Sequence, residues 1–128
     1  MSIEAALREM LNASDDLNAY SVTHGYRLQN SSLPAITFEI TTNERSAVSG
    51  HWLASAQIKV VAVETGTALN IASNVPAACV PASYLFGSYT FDAVIFRGRT
   101  VDAASVGEGD EQEPAEVNCE VDIYYREN

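Results

Sequence analysis

Residues 117–125 alternate without a break between apolar and polar side chains, and no other segment constrains the fold as strongly. The apolar positions are Val117, Cys119, Val121, Ile123 and Tyr125, and between them lie Asn118, Glu120, Asp122 and Tyr124. Successive side chains of a strand point to opposite faces of a sheet. The segment therefore predicts a strand with one buried face and one wet, acidic face, typical of a sheet covered on one side only.

Two further strands are predicted at 33–40 and 52–63. In the first, Ile36, Phe38 and Ile40 share one face, and the second ends in the largely β-branched run 58–63. The stretch between them, 41–50, is mostly polar and has a length that can close a hairpin. We therefore expect a hairpin whose tip stands clear of the core.

Apolar residues near the start of the chain recur at helical spacing and predict a first helix. They are Ile3, Ala6, Leu7, Met10 and Leu11, with Ser2 placed to cap the helix. A second helix is predicted from Thr65. Pro76 should kink or end it near Val75, because proline lacks a backbone donor and clashes with the preceding turn.

The remaining elements complete the predicted order of helix, short strand, two strands, helix and two strands. They are a short segment at 26–28, a strand at 91–101 with Gly98 as a candidate bulge, and a loop or hairpin tip at 102–115. Strands joined mostly by hairpins favour an α+β fold of two layers, with a mainly antiparallel β-sheet and two helices packed on one face. We expect a single domain, 1–128, with candidate projecting loops at 41–50 and 102–116.

The chain is strongly acidic, with 17 Asp and Glu against 7 Lys and Arg and a formal net charge of −10. Eight of the acids, against Arg126 alone, lie in residues 107–128. Because phosphate contacts need Lys and Arg, this balance argues against a protein that grips nucleic acid. No apolar run approaches the roughly 18 residues of a membrane span, and the start lacks a secretory signal pattern, so we expect a protein made and used in a cytoplasm.

No residue pattern in the sequence indicates catalysis, and we expect neither an enzyme, nor a cofactor, nor a metal site. His24 and His51 both adjoin glycines and are predicted to be exposed polar residues. Cys79 and Cys119 match no zinc or redox spacing, so buried free thiols are expected, with a disulfide as the alternative. The acidic cluster 108–116 lacks the spacing of a calcium loop, so a solvated loop is expected there, with weak binding of a divalent cation as the alternative.

Some side chains are candidates for contacts between strands or between subunits. Trp52 either belongs to the core or lies at a subunit contact near the hairpin base. Arg97 and Arg99 are predicted to face the same side of their strand. They either pair across strands with Glu120 and Asp122 or meet an acidic neighbour in an assembly.

The order of these motifs resembles the tail-terminator (tail-completion) proteins of long-tailed bacteriophages. The resemblance rests on a short first helix, the Leu-Pro-Ala-Ile strand entry at 33–36, the Asn-Glu-Arg-Ser connector at 43–46 and the strand pattern 54–62. An Ala-rich helix, an acidic loop and a last strand ending Ile-Tyr-Tyr-Arg at 123–126 complete it. Pro76 inside the second helix and the long acidic loop depart from the family pattern.

The resemblance implies a structural virion protein of the tail or neck, assembled in the host cytoplasm. It implies a ring, usually a hexamer, that caps the tail tube, stops its polymerisation and offers a joining surface to the head-completion or connector protein. DNA would pass through the central channel without specific binding. Candidate partner contacts lie on the two tips: Asn43, Glu44, Arg45 and Ser46 on one, and Glu108, Asp110, Glu111 and Glu113 on the other.

Two other functions remain open from the sequence. A head-completion or neck connector protein would have a similar acidic surface and would differ in the neighbour that it binds. A small-ligand-binding or enzymatic α+β domain would need a pocket with convergent polar groups.

Overall fold

The computed structural model describes residues 2–25, 33–45, 51–106 and 112–127. Its elements are α1 (Ile3–Asn12), β1 (Ser21–His24), β2 (Ala35–Arg45), β3 (Trp52–Ala62), α2 (Thr65–Ala72), α3 (Val75–Ala78), β4 (Leu85–Phe86), β5 (Tyr89–Asp102), β6 (Ser105–Val106), β7 (Gln112–Glu113) and β8 (Ala115–Glu127). Among the described residues, no helix has both the length and the hydrophobicity that a membrane span requires.

The first helix forms as its sequence predicts. The Ser2 side chain accepts a hydrogen bond from the backbone N–H of Ala5 at 3.1 Å, which satisfies one of the free donors of the first turn. The apolar stripe of α1 is buried throughout its length. Burial of this stripe against the sheet holds the helix in place, since an isolated helix of ten residues is marginal in water.

Six strands form one curled sheet in the order β1-β2-β3-β8-β5-β4, and β6 and β7 pair separately. The strand with the uninterrupted alternation, β8, lies between β3 and β5 and pairs antiparallel with both along nearly its whole length. Its residues from Ala115 to Tyr125 are buried at every odd position, as its sequence predicts. The side of the sheet that carries these residues forms the main core with the helices.

The fold is α+β, but the sheet is mixed as well as curled. The strand β1 pairs with β2 in parallel, in the register Ser21 to Ala35, whereas the other pairings are antiparallel. The short strand expected at 26–28 lies outside the described residues. The described strand that precedes β2 comes earlier, at Ser21–His24.

The hairpin of β2 and β3 is confirmed, and its ladder extends further than expected. Residues 41–45, placed by the sequence in a projecting loop, continue β2 as far as the pair Arg45 and Trp52. Polar side chains on both faces hide this extension, because an exposed strand end has no apolar face to reveal its period. The tip itself, 46–50, lies outside the described residues.

The second helix is interrupted as Pro76 predicts. The helix α2 ends at Ala72, and a separate short helix, α3, begins at Val75 with Pro76 in its first turn. Proline is tolerated there because the N–H that it lacks would have no partner within the helix. The break lets Val75, Ala78 and Cys79 all reach the core.

Candidate functional site

The sheet has one face that the helices do not cover, and we call it the open face. Its central rows follow from the register of β3 with β8, which sets Ser55 opposite Asp122 and Gln57 opposite Glu120. These are the polar positions of the alternating pattern, so the sequence places this surface correctly. The register places six carboxylates on the open face against the cations of Lys59, Arg97 and Arg126. The carboxylates belong to Glu39, Glu44, Asp102, Glu116, Glu120 and Asp122.

Asp122 is the centre of a polar network on the open face. Its carboxylate accepts a hydrogen bond from Ser55 Oγ at 2.9 Å and one from Arg97 Nη1 at 2.7 Å. The hydrogen bond and the charge of Asp122 raise the pKa of Arg97 above its usual range. Asp122 is mostly buried and Arg97 is mostly exposed, so the network holds the guanidinium group of an otherwise exposed side chain against the sheet.

An open groove of about 410 Å³ runs along this network and is lined in part by Thr41, Leu53 and Glu120. Its polar groups already bond one another or face solvent. Further along the sheet, Lys59 lies 3.6 Å from Glu116, and both side chains are more than a third exposed. Such a pair contributes little to stability. The arrangement makes a charged surface.

The two arginines of β5 lie on opposite faces of the sheet, so the prediction that they share a side is wrong. A register shift between Phe96 and Gly98 inserts an extra residue into β5. Arg97 therefore reaches Asp122 on the open face, whereas Arg99 lies opposite Cys119, whose side chain belongs to the helix-covered face. Gly98 adopts φ of +152°, a backbone conformation that residues with a side chain rarely take. The sequence indicated the bulge at Gly98 but not its effect on the side-chain period.

At the end of the β2–β3 hairpin, a side-chain hydrogen bond links β2 to the last strand and adds to the backbone pairing of β3 with β8. Tyr125 Oη donates to Asn43 Oδ1 at 2.7 Å, and the Tyr125 ring packs edge-on against Tyr89 with 5.6 Å between ring centroids. Burial raises the pKa of Tyr125, and the hydrogen bond to Asn43 offsets part of that shift. Trp52 is paired with Arg45 on one side and with Tyr125 on the other, and 37% of its surface is exposed.

The other proposed contact residues divide between described and undescribed parts of the chain. Glu44 and Arg45 are exposed at the end of β2. Glu113 lies in β7, opposite Ser105 of β6, so the acidic segment does form a hairpin base. Ser46, Glu108, Asp110 and Glu111 lie outside the described residues.

A charged cluster that the sequence did not indicate joins three strands beside the hairpin. The Asp92 carboxylate lies 3.0 Å from His51 Nδ1 and accepts a hydrogen bond from Arg126 Nε at 3.0 Å. A register shift between Phe91 and Ala93 leaves Asp92 at an irregular position of β5, where it can reach both. The three residues are dispersed along the sequence, and no local motif could have grouped them.

Neither a metal centre nor a reactive thiol is found in the part of the chain that the structure describes. No group of three His, Cys, Asp or Glu residues there could hold a metal ion. Cys79 and Cys119 are free and buried. Burial raises the pKa of Cys79 to about 12 and that of Cys119 to about 11, so both thiols stay protonated and unreactive at neutral pH.

Comparisons with known proteins show the fold. No protein-family model matches the chain, and no curated protein matches it either. Among solved structures, it is similar to a chain in one titled "Virion of native gene transfer agent (GTA) particle", with a TM-score of 0.70. The match covers 98% of this chain and 95% of that chain at 14% sequence identity. At this identity the similarity shows that the two chains share a fold.

Proposed function

We propose that this chain is a structural protein of a phage-like virion. In this proposal it forms a ring, a hexamer, that caps the tail tube, stops its polymerisation and presents the surface to which the head is joined. The observation that carries the proposal is the fold shared along almost the full length of both chains with a component of a gene transfer agent virion. The residue patterns that resemble tail-terminator proteins support the same reading from the sequence.

The charge distribution supports a ring through which DNA passes without being held. The chain carries a net charge of −10, and carboxylates dominate the open face. Phosphates release no counterions on meeting carboxylates, so an acidic channel wall gives DNA no sequence-independent affinity. A wall of this kind suits genome passage, whereas a basic surface favours non-specific binding of nucleic acid.

The two hairpin ends are the proposed axial contacts, one toward the tail tube protein and the other toward the head-completion or connector protein. The β2–β3 end offers Asn43, Glu44 and Arg45 on a strand pair that is held by the β3–β8 ladder and by the hydrogen bond from Tyr125 to Asn43. The β6–β7 end offers Glu113 and the acidic residues next to it in sequence. A rigid projecting ladder suits docking because little conformational entropy is lost on binding.

Electron microscopy and co-purification test this function together. The purified chain, alone or mixed with the tail tube protein of the same virion, should form annular particles in negative stain. It should also co-purify with the tube protein. Co-purification with a portal or adaptor protein, and never with tube protein, would instead identify a neck connector. A strictly monomeric chain that binds neither protein and is stabilised by a metabolite in a thermal-shift screen would exclude both structural roles.

A further inference from the structure

The outer edge of β5 is open along most of its length. The strand β4 pairs only with Tyr89 and Thr90, and the Phe91 N–H donates to the Tyr84 carbonyl at 2.9 Å just beyond that pairing. From Asp92 to Asp102, β5 has β8 on one side and no strand of the described chain on the other. Such an edge presents unpaired backbone donors and acceptors, which are a template for strand addition.

The same edge concentrates exposed apolar surface. The described residues include seven large hydrophobic side chains that are exposed, and four of them lie in β5 or in the short segment paired with it. These four are Tyr84, Leu85, Ile95 and Val101. Edge strands that stay unpaired are usually short, bulged or charged. The strand β5 has two bulges, between Phe91 and Ala93 and between Phe96 and Gly98, but it is not short. An eleven-residue edge bearing Ile95, with 47% of its surface exposed, is more typical of an interface.

We propose that this edge is where a second copy of the chain docks, adding its own β1 to the sheet. The inference deepens the proposed ring and rests on it, since it names the contact between neighbouring subunits. A closed ring needs two different surfaces on each subunit, one for each neighbour. The strands β1 and β5 provide two different sheet edges, because β1 ends the sheet order at one side and β5 is open at the other.

Strand direction favours this junction. The strand β1 runs parallel to β2, and the direction then reverses at β3, at β8 and again at β5. A second copy with its sheet continuing the first would therefore lay its β1 antiparallel to β5. Antiparallel pairing is the slightly more stable arrangement per residue, and here it would continue the pattern of the sheet centre.

Charge complementarity also favours a second copy as the occupant. The β5 edge carries Arg97 and Arg99, and Arg99 has no ion pair among the described residues. The β1–β2 side is net acidic: residues 12–45 contain Asp15, Asp16, Glu39 and Glu44 against Arg27 and Arg45. Glu39 shares the open face with Arg97. Across the junction these two side chains would stand on strands about 10 Å apart, within their combined reach.

A matched pair of substitutions tests the contact, with molar mass measured by size exclusion with light scattering over a concentration series. Ile95→Lys places a charge on the proposed edge. Val63→Lys places the same charge on a residue of nearly equal exposure, 47% against 48%, that follows β3 away from that edge. We expect Ile95→Lys to weaken self-association at least about tenfold, because a charged amine that must lose water replaces an apolar side chain at the junction, while Val63→Lys leaves it unchanged. The four residues of β1 cannot cover both Ile95 and Val101, so Val101→Lys should have the smaller effect. An unchanged far-UV circular dichroism spectrum would show that each variant is folded.

Hydrogen exchange locates the two sides of the junction. Amides of 21–24 and of a stretch of similar length around Ile95 should both be protected in the assembled chain, because β1 has four residues. Both segments should lose that protection in the Ile95→Lys variant. Protection of β5 without β1 would overturn the proposed partner strand. A wild-type oligomer that Ile95→Lys and Val101→Lys leave intact would overturn the edge contact without touching the ring. A wild-type chain that stays monomeric at all concentrations would overturn the pairing. The proposed ring would then be tested separately by the electron microscopy with tube protein.

Discussion

Removing the hydroxyl group of Tyr125 should show how much its hydrogen bond stabilises the end of the β2–β3 hairpin. In Tyr125→Phe the ring keeps its packing against Tyr89, and only the 2.7 Å hydrogen bond to Asn43 is lost. Asn43 is exposed, so its amide oxygen regains a water molecule and no buried acceptor is left unsatisfied. The cost is therefore the net value of one hydrogen bond, about 1 kcal/mol of unfolding free energy.

A double-mutant cycle measures that value. Urea unfolding of Tyr125→Phe, Asn43→Ala and the double variant should give a coupling free energy of about 1 kcal/mol, and the melting temperature of Tyr125→Phe should fall by about 4 °C. Tyr124→Phe is the matched control, because its hydroxyl makes no hydrogen bond among the described residues. It should change stability by less than about 0.5 kcal/mol. Strictly additive effects of the Tyr125 and Asn43 substitutions would refute the claim that this hydrogen bond stabilises the end of the hairpin.

Two further predictions concern the bulge and the thiols. Gly98→Ala should destabilise the fold by about 1–3 kcal/mol in urea unfolding, because a Cβ at φ +152° strains the backbone although it meets no atom within 4 Å. Gly66→Ala, a glycine in α2 with equally open space, should be neutral or slightly stabilising, and equal losses at both sites would contradict the strain account. Above the usual thiol pKa of 9.0, unfolded Cys79 and Cys119 ionise while the folded thiols, with pKa of about 12 and 11, do not. Stability is therefore unaffected by the thiols below pH 9 and should fall as pH rises from 9 toward 11, by up to about 1.4 kcal/mol per pH unit for each thiol. Unfolding between pH 8.5 and 10 should show a shallower slope in Cys79→Ala, and an unchanged slope would count against burial of this thiol.

The centre of the sheet could be predicted from the sequence because the apolar residues of its strands show which face is buried. The alternation around Val121 fixes the two sides of β8, and the apolar run near Ile58 identifies its neighbour β3. Pro76 marks the break between α2 and α3 for a reason of local geometry. Each of these features depends on residues that are close together in the chain.

The sequence could not reveal features that depend on distant contacts. The parallel pairing of β1 is set by contacts with β2, and four residues from Ser21 to His24 carry no pattern of their own. The cluster of His51, Asp92 and Arg126 exists only because three strands meet. The opposite facing of Arg97 and Arg99 follows from one inserted residue, which a two-residue period counted along the sequence does not include.

The position of β8 in the sheet sets the order in which this protein can become stable. Both of its neighbours, β3 and β5, leave the ribosome before it does, and until it arrives each lacks the partner that lies between them. Local structure such as α1 or the β2–β3 hairpin can form early, but the sheet closes only when residues 115–127 insert, through contacts that span long stretches of sequence. A nascent chain or a truncated fragment that ends before β8 would thus expose two unpaired strand edges at once. It should therefore depend on chaperones and aggregate readily in their absence.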